Sequence, residues 1–161
     1  DTGNLSDGMT MARLLDRAKE FMREALAEAH ASLAEGGIPV GAVLVREGRI
    51  IGRGHNRRVQ SGDPTAHAEI ECLRNAGRMG SYRDTILYST LMPCHLCAGA
   101  IVQFGIEYVV AGEALNFKGA KHFLEDHWVQ VEVLEDNDCE HVLRAYIEAH
   151  PDVWIEDIGK G

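Results

Sequence analysis

Pro93-Cys94-His95-Leu96-Cys97 is the stretch of this sequence best suited to chemistry. Composition alone would produce a Pro-Cys-x-x-Cys in roughly 1 of 400 chains with this content of Pro and Cys, so the motif calls for a reason. Two cysteines three apart at the start of a helix sit beside its free N–H groups. The dipole there favours thiolate, the form that binds metal and attacks electrophiles. Two chemistries fit such a pair, a redox dithiol and half of a zinc site. A zinc site needs more donors, and His67 is the best placed. It opens a predicted helix in His67-Ala68-Glu69, 27 residues before Cys94. A His-x-Glu is expected about once by chance in such a chain, so its position carries the argument. One predicted strand separates the two motifs, a helix–strand–helix unit whose helix N-termini can meet at one sheet edge. His67, Cys94 and Cys97 then make three ligands and leave a fourth position open for water, the arrangement of a catalytic zinc. Glu69 is spaced to face that water without binding the metal.

The elements that must hold these residues follow from apolar spacing. From Thr10 to Glu35, Leu14, Leu15, Ala18, Phe21, Met22, Ala25, Leu26, Ala29 and Leu33 recur at helical intervals, and Gly36-Gly37 ends the helix. Val40–Val45 and Arg49–Gly52 flank Glu47-Gly48 as a hairpin. The spacing predicts a helix over Thr65–Arg78 capped by Asp63 or Thr65, and a strand over Thr85–Thr90. A helix opened by Pro93 then runs to about Phe104. Strands over Tyr108–Gly112 and Val129–Leu134, a helix over Cys139–Ala149 and a short segment after Pro151 complete the chain. Strands alternating with helices after an opening hairpin define an α/β domain with a mixed sheet of about five strands. No Pro/Ser-rich linker, repeat or low-complexity tract divides it, so residues 1–161 read as one domain. The first eight residues, DTGNLSDG, are small and polar and read as a remnant ahead of a start at Met9.

Composition narrows the partners. Hydrophobic residues make up 45% of the 161, enough for a sizeable core and too many for disorder. There are 16 Lys+Arg against 25 Asp+Glu, a net charge of −9, and no basic run, so nucleic acid is a disfavoured partner. No apolar run approaches the ~18–20 residues that span a bilayer, and no segment reads as a signal peptide. Four cysteines are too few for a disulfide scaffold and suggest a reducing, cytoplasmic setting. Cys72 and Cys139 read as small buried hydrophobes. Ile101, Val102 and Phe104, on the helix after Pro93, offer more apolar surface than one small sheet needs. A homodimer is therefore expected.

The pattern H-x-E…P-C-x-x-C is a described signature of zinc-dependent nucleobase deaminases. Within that superfamily the chain most resembles the fungal-type cytosine deaminases, from about Ala18 to Gly159. The resemblance rests on Gly36-Gly-Ile-Pro-Val-Gly41, Gly52-Arg-Gly-His-Asn56, Pro93 to Ala100, Ile106, Asn116-Phe117-Lys118 and Trp154-Ile-Glu-Asp-Ile-Gly159. It implies a three-layer α/β/α cytidine-deaminase-like fold, one Zn2+ per chain and a homodimer. It also implies hydrolysis of a free base, cytosine to uracil plus ammonia, by zinc-activated water, with Glu69 relaying the protons. By the same resemblance, Asn56 and the Ala68 N–H hold the pyrimidine carbonyl, and the Val40 carbonyl holds an adjacent ring N–H. Asp157 and the Met92 carbonyl face the exocyclic amine, and Phe117 and Trp154 close over the ring. Two positions depart from the family: Ala68 stands where it has Gly, and Met92 where it usually has Ser.

Those departures leave rivals. Isocytosine and creatinine carry the same cyclic amidine, and guanine needs a wider pocket. A tRNA adenosine deaminase shares the zinc core, but its substrate calls for basic residues that the ending Asp157-Ile-Gly-Lys-Gly161 does not offer. From another class, a structural-zinc interaction module would need a fourth protein ligand.

Overall fold

The computed structural model describes residues 8–161. The seven residues before Gly8 lie outside the described residues, as do the side chains of Leu14 and Leu15. The elements run α1 (Gly8–Ala34), β1 (Gly41–Arg46), β2 (Arg49–His55), α2 (Arg58–Ser61), α3 (Ala68–Ala76) and β3 (Thr85–Leu91). They continue with α4 (His95–Phe104), β4 (Tyr108–Glu113), α5 (Lys121–Asp126), β5 (Gln130–Val133), α6 (Asn137–Ala149) and α7 (Pro151–Asp157). Gly8, read from the sequence as the end of a remnant, is already helical.

One five-stranded sheet in the order β2-β1-β3-β4-β5 organises the chain. β1 runs antiparallel to β2 and β3, whereas β3, β4 and β5 are parallel, so the sheet is mixed as expected. The hairpin turn is Glu47-Gly48, both with positive φ (50° and 75°), the two-residue geometry that matches strand twist. Alternation along the strands supplies both faces. Val43, Val45, Tyr88 and Val110 pack with Phe21, Met22 and Ala25 of α1 and with Cys139 of α6. Ala42, Leu44, Leu87 and Val109 face the other way, onto Cys72 of α3, Ala98 and Ile101 of α4 and Leu124 of α5. The result is the three-layer α/β/α arrangement.

Several boundaries differ from the expectation, each for a local reason. The helix predicted from Thr65 begins at Ala68, because the Asp63 carboxylate accepts from both the backbone N–H and the hydroxyl of Thr65 (2.8 Å each). That turn competes with helix. Pro93 does not occupy the first helical position of α4; Cys94 is the N-cap and Pro93 precedes it. β2 extends past Gly52 to His55. Its glycines look like breakers in sequence, but a Cβ on Gly54 would lie 2.5 Å from the Cys72 nitrogen, so they admit α3 against the sheet. α2 and α5, of four and six residues, are too short to show a period and were not anticipated. Of the apolar face expected to pair with a second copy, Ile101 is fully buried, Val102 is partly buried against the core and Phe104 stays exposed beside Tyr82, their rings 5.6 Å apart.

Candidate active site

His67 and Cys94 are the N-cap residues of α3 and α4. Both have extended backbone (φ −73°, ψ 156° and φ −75°, ψ 178°), and neither side chain caps its own helix. They turn toward each other instead, with Cys94 Sγ 3.5 Å from His67 Nδ1. Cys97, one turn into α4, completes a cluster whose donor atoms all lie within 4.8 Å of one another. The helix–strand–helix unit read from the sequence is what brings them to one sheet edge.

Protonation within the cluster leaves Cys94 as its one ready anionic donor. The hydrogen bond from Cys97 holds Cys94 down at about 4 against the effect of burial, with His67 adding to the lowering. Cys97, as the donor to Cys94 and buried besides, is pushed well above the ordinary thiol range. Burial disfavours the His67 imidazolium, yet Cys94, Glu69 and Asp157 outweigh it and raise the group to about 9. One imidazole and two sulfurs within tetrahedral reach form the donor set that zinc prefers, and metal binding releases the protons held by His67 and Cys97. Among the described residues no fourth His, Cys or carboxylate joins the group.

Glu69 sits in the first turn of α3, buried, with Oε1 accepting from Ser89 Oγ on β3 at 3.1 Å. Burial pushes its carboxyl up and Cys94 adds to this, while Cys97, His67 and Ser89 act in the opposite sense. A carboxyl held at this place beside the cluster is positioned to pass a proton to or from a molecule bound there.

A cavity of about 360 Å3 opens over the cluster, and every residue predicted for the site except Cys97 contributes to its lining. That volume is near the lower end for small-molecule sites. Asn56 is buried with its Oδ1 accepting from the Arg58 N–H at 2.9 Å, which leaves the Nδ2 end of the amide for the cavity. Ala68 is the first residue of α3, so its N–H has no acceptor within the helix. The Val40 carbonyl accepts from the Asn56 N–H at 3.0 Å and keeps one lone pair.

Asp157 Oδ1 is buried without a hydrogen-bond partner. Its neighbours are His67 Nε2 at 3.7 Å and Arg58 Nε at 3.8 Å. Burial pushes the Asp157 carboxyl up, with His67 and Arg58 opposing. Phe117 and Trp154 meet edge to face at 87°, centroids 6.2 Å apart, and Met92 is buried beside them in the lining.

Three contributors were not singled out from the sequence. Ser89 reads only as an alternating strand residue. Arg58 reads as loop charge. Gly119 lies under the Pro93 segment, where a Cβ would come within 2.6 Å of the Pro93 carbonyl oxygen. Of these only Gly119, a glycine soon after a motif residue, left a sequence signal.

A His-Cys-Cys donor set at two helix starts, with no fourth protein ligand among the described residues and a buried carboxyl beside it, is the arrangement of a catalytic zinc site. The family model for the cytidine and deoxycytidylate deaminase zinc-binding region matches residues 15–113, and the chain belongs to that family. Among curated relatives, a cytosine deaminase of Candida albicans is 39% identical over 145 residues, covering 88% of this chain and 97% of that one. A tRNA-specific adenosine deaminase of Streptococcus pyogenes is 38% identical over 144 residues, with 82% and 91% covered. A solved structure from work on A-to-I editing by tRNA:A34 deaminases superposes with a TM-score of 0.69 at 31% identity, over 78% of this chain and 99% of that one.

Proposed function

We propose that this chain deaminates a free, carbonyl-bearing base, cytosine to uracil plus ammonia, as one deaminase domain. The observation that carries the reading is Asp157 Oδ1, buried in the wall of the cavity with two cations beside it and no hydrogen-bond partner. A buried acceptor left open costs free energy unless a donor arrives, and an exocyclic amine is such a donor. The same cavity holds two donors, Asn56 Nδ2 and the Ala68 N–H, which suit a ring carbonyl. The remaining lone pair on the Val40 carbonyl suits a ring N–H. Cytosine carries an amine, a carbonyl and a ring N–H. Adenine has no carbonyl to offer.

His67, Cys94 and Cys97 would hold a zinc ion, which when bound would supply a Lewis acid able to make water nucleophilic near neutral pH. Glu69 takes the water's proton and delivers it to the ring nitrogen, then helps protonate the departing amine. Asp157 and the Met92 carbonyl orient that amine until it leaves. Phe117 and Trp154 cover the ring and exclude bulk water. The small cavity and the net charge of −9 favour a free ring over a polynucleotide. The half-exposed Leu96 and Phe104 on α4 are the surface on which we expect a second copy to pair.

Deamination of adenosine in tRNA is the second reading, favoured by the Streptococcus pyogenes relative. Ammonia release from cytosine, cytidine, isocytosine, creatinine, guanine and a tRNA anticodon stem at equal concentration decides between them. Cytosine is expected to lead. Turnover of the RNA or of cytidine above every free ring would refute the proposal, and a lead by isocytosine or creatinine would move the substrate to another amidine.

A further inference from the structure

α7 forms one wall of the cavity through Trp154 and Asp157, and Val153, Trp154 and Ile158 pack it against the core. Its backbone hydrogen bonds stay within its own turns and with His150, which precedes it. Trp154 is buried against Phe117. Among the described residues, one side-chain hydrogen bond reaches α7 from another element: Arg58 Nη2 donates to Glu156 Oε1 at 3.2 Å. The same guanidinium donates through Nη1 to the Pro64 carbonyl at 3.2 Å and presents Nε to Asp157 Oδ1 at 3.8 Å. Arg58 is only 16% exposed, so this cation is held in place rather than waving in solvent. It is also the residue whose backbone N–H takes the Asn56 oxygen and so directs the Asn56 amide.

We propose that Arg58 is a positioning residue: it latches α7 over the cavity and thereby fixes Asp157 for the amine end of the substrate. This rests on the deaminase reading above. Arg58 does not line the cavity itself, and its side chain acts through α7. Glu156 is 70% exposed, so its ion pair alone is weak. The grip comes from the fork, which spans Pro64, Glu156 and Asp157 together, a geometry that a single ammonium cannot reproduce.

The test compares Arg58→Met, Arg58→Lys and Glu156→Gln in the zinc-loaded protein. Arg58→Met keeps the packing stem and loses the fork. A Trp128→Phe background isolates Trp154, because the only other tryptophan, Trp128, is 90% exposed and would mask it. Arg58→Met is expected to keep its zinc and to raise KM about tenfold with kcat within about threefold. The acrylamide quenching constant of Trp154 should at least double. Arg58→Lys should recover part of both effects, and Glu156→Gln should give the smallest change.

Unchanged KM and unchanged quenching would overturn the latch. So would a raised KM with unchanged quenching, since the site would then be disturbed without α7 moving. If no free ring is turned over by the unsubstituted protein, the substrate reading fails. The quenching comparison, which needs no substrate, still decides the latch.

Discussion

Replacing Asp157 with Ala separates binding of the amine from stability of the fold, because the two should respond differently. In the structure Asp157 Oδ1 has no hydrogen-bond partner, and its two cationic neighbours lie at 3.7 and 3.8 Å. The folded protein therefore loses no hydrogen bond from that atom when the side chain is cut back, and the two long ion pairs it loses are offset by removal of a buried carboxylate that was costly to desolvate. The substrate complex loses a charge-assisted hydrogen bond, worth about 1.5–3 kcal/mol. At about 1.4 kcal/mol per tenfold, that is a fall of about 10- to 150-fold in kcat/KM. Ammonia release against substrate concentration gives the kinetic value, with metal analysis and a thermal melt on the same preparation. The expected result is the kinetic loss with full zinc content and a Tm no lower than that of the unsubstituted protein. A kcat/KM within about threefold of the original would show that Asp157 does not hold the amine. A large fall in Tm would show that the missing partner of Oδ1 is one that the fold itself provides.

Glu69→Gln keeps the volume and the contact with Ser89 but removes the proton carrier. It should retain zinc and lose about 10²- to 10⁴-fold in kcat, and near-normal turnover would assign the relay to another group. Chelation of the metal should expose Cys94 to iodoacetamide at neutral pH ahead of Cys97, with buried Cys72 and Cys139 unlabelled until unfolding, as read by peptide mass spectrometry. Labelling of Cys72 or Cys139 first would contradict the burial assigned to them. Gly119→Ala would place a Cβ 2.5 Å from Met92 Cγ and 2.6 Å from the Pro93 oxygen at a φ of +64°. It should lower Tm by about 5–10 °C and weaken zinc retention by shifting the segment that carries Cys94. A variant with unchanged melting and metal content would show that the Pro93 loop adjusts freely.

The metal cluster was legible in the sequence because ligand chemistry restricts residue type and spacing together, and helix starts restrict where the side chains can go. His67, Cys94 and Cys97 satisfied all three constraints. The strands were legible for a related reason: Ala42-Val43-Leu44-Val45 is apolar throughout, as a strand covered on both faces must be. What stayed hidden was local competition. Asp63 removes one turn from the start of α3 by offering Thr65 a better bond, which apolar spacing does not register. Gly52 and Gly54 read as the end of a strand, although their role is to let α3 approach it. Arg58 carries no signal at all, since its importance comes from Pro64, Glu156 and Asp157, up to 99 residues away in the chain, being close in space.

The direction of the last strand has a consequence for what the enzyme can become. Had β5 run antiparallel to β4, a two-residue hairpin would have sufficed to join them. Because it is parallel, the chain must travel back along the sheet, and residues 114–129 make that return through α5. Phe117 rides on this return, so part of the cavity wall exists because of a strand orientation. Lengthening or re-aiming that one connection would open that wall and leave the zinc floor, which belongs to α3 and α4, in place. A scaffold divided in this way can change the size of what it admits without reinventing how it reacts.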